Sequence, residues 1–181
     1  MTRQAAHVIA PFPGTPSSGS STAEFKRGMR ALPGGVTVLA ARGHDGEPLA
    51  MTASSVTSLS IDPPSLLVCV GRTASIAQAL ARLRHFSVNV LAADQIDVAR
   101  AFGNQLDVTG TARFAYGDWR GVEGTAVPLL AGARASFECE VAHVHDWATH
   151  HIVIGTVRQV LVNDTAKPSL VYVDGSYRAI G

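Results

Sequence analysis

Residues 51 to 71 constrain the fold more than any other part of the chain. They set Thr52, Ser54, Ser55, Thr57, Ser58 and Ser60 along a segment of strand character. Leu59 and Ile61 alternate with Ser58 and Ser60, which gives a strand one apolar face and one face of hydroxyls. Asp62-Pro63-Pro64 then stops the ladder, because neither proline has an N–H to donate. Leu66 to Val70 follows as a short, almost wholly apolar run, the pattern of a strand buried on both faces. Such a stretch supports two readings. It can be the half-exposed surface of a sheet, since strands tolerate Thr well. It can also bind a polar, anionic ligand through hydroxyl and turn N–H groups, with no net positive charge nearby.

The flanking segments supply its neighbours. Residues 1 to 20 end in a Pro-, Gly- and Ser-rich run with no period, read as a flexible arm ahead of one domain over residues 21–181. Ser21 or Thr22 caps a helix with Phe25, Met29 and Leu32 on one face, ended by Pro33-Gly34-Gly35. Val36 to Ala41 and Leu49 to Val56 read as strands joined across Gly43-His44-Asp45-Gly46, with residues 51 to 61 continuing the second. Thr73 or Ser75 caps a short helix carrying Ile76, Leu80 and Leu83. Phe86 to Val90 alternates as a strand with Ser87 and Asn89 on one side. Asp94 caps a helix with Val98, Ala99 and Phe102 that Gly103 closes, and residues 104 to 132 are irregular. From Ala133 to Val141, Ala135, Phe137, Cys139 and Val141 are expected inward, and Arg134, Ser136, Glu138 and Glu140 outward. A polar loop through Asp146-Trp147 leads to a strand over Ile152 to Val162, and Leu170 to Val173 forms the last. Roughly seven strands against two or three short helices, without β-α-β alternation, predict a mainly β, antiparallel barrel or sandwich with peripheral helices.

Composition removes several function classes. A formal net charge of +1 over 181 residues argues against a nucleic-acid or anionic-membrane footprint, and no apolar run has the length of a membrane span. The two cysteines, Cys69 and Cys139, lie in apolar strand-like segments and read as small buried hydrophobes of a reducing compartment. A cytoplasmic protein is expected. No glycine-rich dinucleotide fingerprint, P-loop or nucleophile elbow is present. His143, His145, His150 and His151 cluster, yet no H-E-x-x-H or C-x-x-C accompanies them, so no metal site is expected. His151, at the mouth of an apolar strand, can bond a backbone carbonyl or meet a ligand. Arg72 and Arg113 are either solvated surface charges or groups facing the hydroxyl-rich stretch and the irregular loops.

Several spaced segments in the right order resemble one family. They are Gly35-Val36-Thr37-Val38-Leu39; Thr52-Ala53-Ser54-Ser55 with Ser58, Ser60 and Asp62-Pro63-Pro64; and Phe86-Ser87-Val88-Asn89-Val90-Leu91. Phe102 leading to Arg113-Phe114 and Trp119, His151 to Val157, and Gly175-Ser176-Tyr177-Arg178 continue the match. Together they resemble the short-chain flavin reductases, the small reductase components of two-component flavin-dependent monooxygenases. The family often has Gly or Asp just before the strand histidine, whereas this chain has His150.

The resemblance implies an antiparallel split β-barrel, a homodimer, and FAD or FMN reduced by NADH or NADPH, with FAD and NADH favoured. It implies a monooxygenase partner that receives the reduced flavin. Thr37, Thr52, Ala53, Ser54 and Ser55 would lie against the isoalloxazine and ribityl chain, and Ser58, Leu59 and Ser60 at the flavin phosphate. Cys69, Val70, Gly71, Arg72, Thr73, Ser75 and Asn89 would line the same groove, with Phe102, Gly103 and Arg113 on its far side. His151 and Tyr177 would border the nicotinamide, His151 being the one candidate for a catalytic role beyond positioning. A pyridoxal-phosphate-type split-barrel oxidase and a non-catalytic flavin carrier are the alternatives.

Overall fold

Gly43, the Asp62-Pro63 turn and Gly103 each follow directly on the end of an element. The computed structural model describes residues 21–80, 82, 84–121, 127–163 and 166–181; the N-terminal arm and Leu83 lie outside these. The chain runs α1 (Thr22–Arg30), β1 (Gly34–Gly35), β2 (Thr37–Arg42), β3 (Pro48–Ala53), β4 (Thr57–Ile61), β5 (Pro64–Gly71), α2 (Ser75–Leu80) and β6 (His85–Val90). It continues through α3 (Ile96–Phe102), β7 (Trp119–Gly121), β8 (Pro128–Leu130), β9 (Ala135–Trp147), β10 (His150–Val162), β11 (Ser169–Val173) and β12 (Ser176–Ile180). Short 3-10 turns cover Ala93–Gln95 and Gly110–Ala115. The described helices include none long and apolar enough to cross a membrane.

Seven strands form one antiparallel sheet in the order β3-β2-β6-β9-β10-β5-β4; β1-β11-β12 and β7-β8 form two small ones. The large sheet curls until β3 and β5 face one another without a ladder. Ser55 spans that gap: its Oγ donates to the Cys69 carbonyl at 3.0 Å and accepts from the Cys69 N–H at 3.2 Å. A single hydroxyl thus stands in for one rung of the missing ladder, and the architecture is a split barrel.

Two cores follow from strands buried on both faces. Leu39 and Ala41 point into the barrel with Val68, Val70, Phe86, Val88, Cys139 and Val153. Val38 and Ala40 point outward and pack with Leu91, Ala99, Phe102, Leu130 and Leu170 under α3, β8 and β11. The second core explains a correction to the sequence reading. Ser136 and Glu138, expected on the solvent face of β9, are buried at 2% and 5% exposure, because that face is covered. Burial, with the charge of Glu138 second, also pushes the Cys139 thiol up to about 12.

Other differences are local. Residues 57–61 do not continue β3; β4 folds back on β5, and its expected inward side chains are exposed, Leu59 at 48% and Ile61 at 93%. Strand β5 is buried on one face only, with Leu66, Val68 and Val70 inside and Leu67 and Cys69 half-buried. Asp94 sits in a 3-10 turn and pairs with Lys167 at 2.7 Å instead of capping α3. Asp146-Trp147 belong to β9, whose ladder with β10 closes over a two-residue turn at Ala148 and Thr149. At α1, Ser21 forms the expected cap within a capping box with Glu24.

Candidate active site

The expected site residues separate into those the fold brings together and those it uses for itself. Thr73, Ser75, Phe102 and Arg113 converge on a cleft of about 330 Å³ with Ala50, Met51 and Phe114. Its apolar part is formed where β3 meets Phe102, at the end of α3, and Phe114; these two rings and Trp119 stack edge-to-face with centroids 5.0–5.4 Å apart. Thr73, on the loop between β5 and α2, and Ser75, the first residue of α2, add their hydroxyls to its lining. Arg113 lines it with a side chain steered by two bonds, from Nε to the Val108 carbonyl at 3.1 Å and from Nη2 to Asn104 Oδ1 at 2.6 Å. An apolar wall beside hydroxyl and guanidinium donors is a donor set that fits a planar aromatic ring carrying a phosphate.

Ser54 opens on a neighbouring cleft of about 490 Å³, with Gly34, Gly35 and Val56. Gly34 allows a close approach there, since a Cβ would sit 3.0 Å from the Ser54 Cβ. The hydroxyls of Thr37 and Thr52 are engaged with backbone, donating at 2.8 Å to Ala53 O and Ala99 O respectively. Those bonds pin β3 to β2 at Ala53 and to α3 at Thr52. A hydroxyl keeps lone pairs after donating, so these oxygens remain acceptors. Ser58, Leu59 and Ser60 lie on β4 and line neither of these clefts; the Ser60 Oγ donates to Asp62 O and accepts from Asp62 N in the turn that follows.

Asn89 departs most from the expected groove. It is fully buried, and its carboxamide is spent on the chain itself. Nδ2 donates to Val38 O and Ser87 Oγ, while Oδ1 accepts from Leu130 N and Ser136 Oγ. Asn89 therefore ties β8 and β9 to β6, a structural task that leaves it nothing to offer a ligand. Gly103 closes α3; a Cβ there would come within 2.8 Å of Ala99 O and 3.5 Å of the Tyr177 hydroxyl. Tyr177 packs on Tyr172 with centroids 5.1 Å apart, and burial raises its phenol from the usual range.

Cys69, Val70 and Gly71 pair with Ile152, His151 and His150, so β5 delivers Arg72 beside His151. Here the structure adds a residue missing from the sequence reading. Asp146, directly opposite His151 in the β9–β10 ladder, accepts from its Nδ1 at 2.6 Å, and Arg72 Nη2 approaches the other carboxylate oxygen at 3.3 Å. The bond from His151 first, and the Arg72 charge after it, hold the Asp146 carboxyl below the usual carboxylate range. An ionised carboxylate only accepts, so Nδ1 carries the proton and Nε2 is left for other use. Where the family resemblance implies Gly or Asp just before the histidine this chain has His150, and the cross-strand register places Asp146 against His151. That register was the one signal that could have found Asp146.

A curled antiparallel sheet, split between β3 and β5 and flanked by a ring-and-hydroxyl cleft, defines a split-barrel protein of the flavin-reductase class. The family model described as flavin reductase like domain matches residues 29–181, and the chain belongs to that family. It is similar to an NADH-dependent FAD reductase of Streptomyces globisporus, 39% identical over 74% of this chain and 72% of that one. It is also similar to an NADH:riboflavin 5′-phosphate oxidoreductase of Streptomyces pristinaespiralis, 33% identical over 88% of each chain. Among solved structures, the flavin reductase component BorF of a bacterial two-component tryptophan halogenase superposes with a TM-score of 0.80. It is 34% identical, over 88% of this chain and 98% of that one. The family resemblance carried by the spaced segments is thereby borne out, as is the antiparallel split barrel.

Proposed function

We propose that this chain is an NADH-dependent flavin reductase that takes FAD or FMN as an exchanging substrate and supplies reduced flavin to an oxygenase partner. The convergence of an apolar floor with the Thr73, Ser75 and Arg113 donors in one cleft carries this reading. When bound, the flavin ring accepts a hydride from the nicotinamide, chemistry that the two rings carry between them. The protein's part is to hold and orient. The segment Thr52-Ala53-Ser54-Ser55 beds the ring and ribityl chain, fixed by the bonds from Thr52 to Ala99 and from Ser55 to Cys69. Thr73, Ser75 and Arg113 hold the phosphate end. His151, oriented by Asp146, and Tyr177 border the nicotinamide. Neutral hydroxyls with one guanidinium grip an anion loosely, which suits a reductase whose product must leave.

The protomer works as a homodimer. Edge strand β4 exposes Leu59 and Ile61, and the end of β10 exposes Val160, Leu161 and Val162, apolar surface of the kind that subunit contacts cover.

The direct test follows NADH absorbance with purified protein. NADH is consumed only when FAD or FMN is added. No consumption with any flavin overturns the proposal, as does a flavin that survives dialysis on the protein and never turns over.

A further inference from the structure

The side chains of Arg72, Asp146 and His151 meet at the open end of the β5–β10–β9 ladder. His151 stands opposite Asp146 on β9 and Val70 on β5. Val153, two residues along β10, is fully buried in the barrel, so His151 shares its inward face. His150 is turned to the opposite face, where its Nδ1 and the Thr149 hydroxyl lie 2.9 Å apart, and it takes no part. Asp146 accepts from His151 Nδ1 at 2.6 Å, and Arg72 approaches its second oxygen at 3.3 Å. Arg72 is itself anchored, its N–H donating at 3.0 Å to the carbonyl of Thr149 in the β9–β10 turn. It directly precedes Thr73, which lines the ring-and-hydroxyl cleft. His151 Nε2 makes no hydrogen bond among the described residues. It is open to solvent, since the one buried side-chain atom left unpartnered among them is His85 Nδ1.

Both members of the Arg72–Asp146 bridge are exposed, so it adds little to stability. Its effect falls on the imidazole. A neutral ring can carry its proton on either nitrogen, and an ionised carboxylate at Nδ1 selects the Nδ1–H form. Nε2 is then a fixed acceptor, held in one orientation by a cross-strand partner. A nicotinamide ring offers such an acceptor the N–H of its carboxamide, and a bond there would fix how the ring is turned. We propose, resting on the flavin-reductase reading, that Asp146 and Arg72 are positioning residues for the dinucleotide: Arg72 holds Asp146, Asp146 holds the tautomer of His151, and Nε2 accepts from the carboxamide. The arrangement selects dinucleotides whose ring carries an N–H donor.

The test has two readouts. Long-range proton–nitrogen spectra of the protein alone, at a pH where the ring is neutral, show which His151 nitrogen bears the proton, the signals being assigned by their loss in His151→Asn. Wild type carries it on Nδ1, and Asp146→Ala moves it at least partly to Nε2. A wild-type proton on Nε2, or an unchanged tautomer in the variant, overturns the proposal. Steady-state assays then compare NADH with its reduced 3-acetylpyridine analogue, which has a methyl in place of the amide nitrogen. Asp146→Ala lowers kcat/KM for NADH about tenfold or more and leaves the analogue, the KM for FAD and the melting temperature near wild type. Arg72→Ala lowers kcat/KM for NADH about two- to fivefold, and has no further effect in the Asp146→Ala background. Equal losses with NADH and the analogue, a raised KM for FAD, or additive effects of the two substitutions overturn the positioning role and leave the reductase reading standing. Wild type that consumes no NADH with any flavin removes that reading itself.

Discussion

Gly155 stands where β10 must let two side chains through. A Cβ added there would meet the Phe86 ring at 2.5 and 2.8 Å and the Cys139 Cβ at 2.9 Å, all inside the barrel core. Neither neighbour can retreat without opening the packing around Val88 and Val153. Gly155→Ala is therefore expected to destabilise the protein by about 1–3 kcal/mol, the usual cost of overpacking a core, read as a lower midpoint in urea unfolding. An unchanged midpoint would mean the core yields at no cost. At this scale, residue type was a partial guide. Thr52 and Ser55 stood out as hydroxyls in the right segment, yet nothing in the sequence said that one would bond α3 and the other would bridge the split. The four bonds of the Asn89 side chain, which reach residues as far as 51 positions away along the chain, carry no signal in the sequence.

Among the elements, β4 shows where alternation misleads. The apolar face of residues 57–61 implied burial in this chain's own core, but the strand lies at the sheet edge with Leu59 and Ile61 in the open. A period of two fixes which residues share a face; it does not say whether the cover comes from the same chain. In the proposed homodimer a second copy of the chain supplies that cover. Leu59→Lys with Ile61→Lys is expected to convert a dimer to monomers in sedimentation equilibrium while the far-ultraviolet circular dichroism is retained. A wild-type monomer, or a variant dimer as tight as wild type, would contradict this. Elements that lie next to their partners in sequence were legible: the β2–β3 hairpin, the α1 cap and the strand nature of β6 follow from turn residues and local periods. The burial of Ser136 and Glu138 was not, because alternation marks a face of β9 as polar without showing that the fold buries it, as the bond from Ser136 to Asn89 does 47 positions away.

For the whole molecule, the fold class was visible in the run of short strands and glycine-rich turns, and the family in the order of its spaced segments. The division of labour within the hydroxyl-rich stretch was not. Residues 52–55 sit at the split, with Ser54 opening on a second cleft, residues 58–60 stand on an outer edge, and the donors of the ring-and-hydroxyl cleft come from 73, 75 and 113. Two of these, Thr73 and Ser75, are brought in by a chain reversal after β5, a consequence of topology that no local pattern contains. The proposed reductase activity requires that the cleft between β3, α3 and the β5–α2 loop seat the flavin. A crystal structure of the protein with FAD measures this directly. The expected result is an isoalloxazine ring against residues 52–55 with its first phosphate within hydrogen-bond reach of Thr73 and Ser75. Density for the ring at any other cleft, with this one filled only by water, would contradict it.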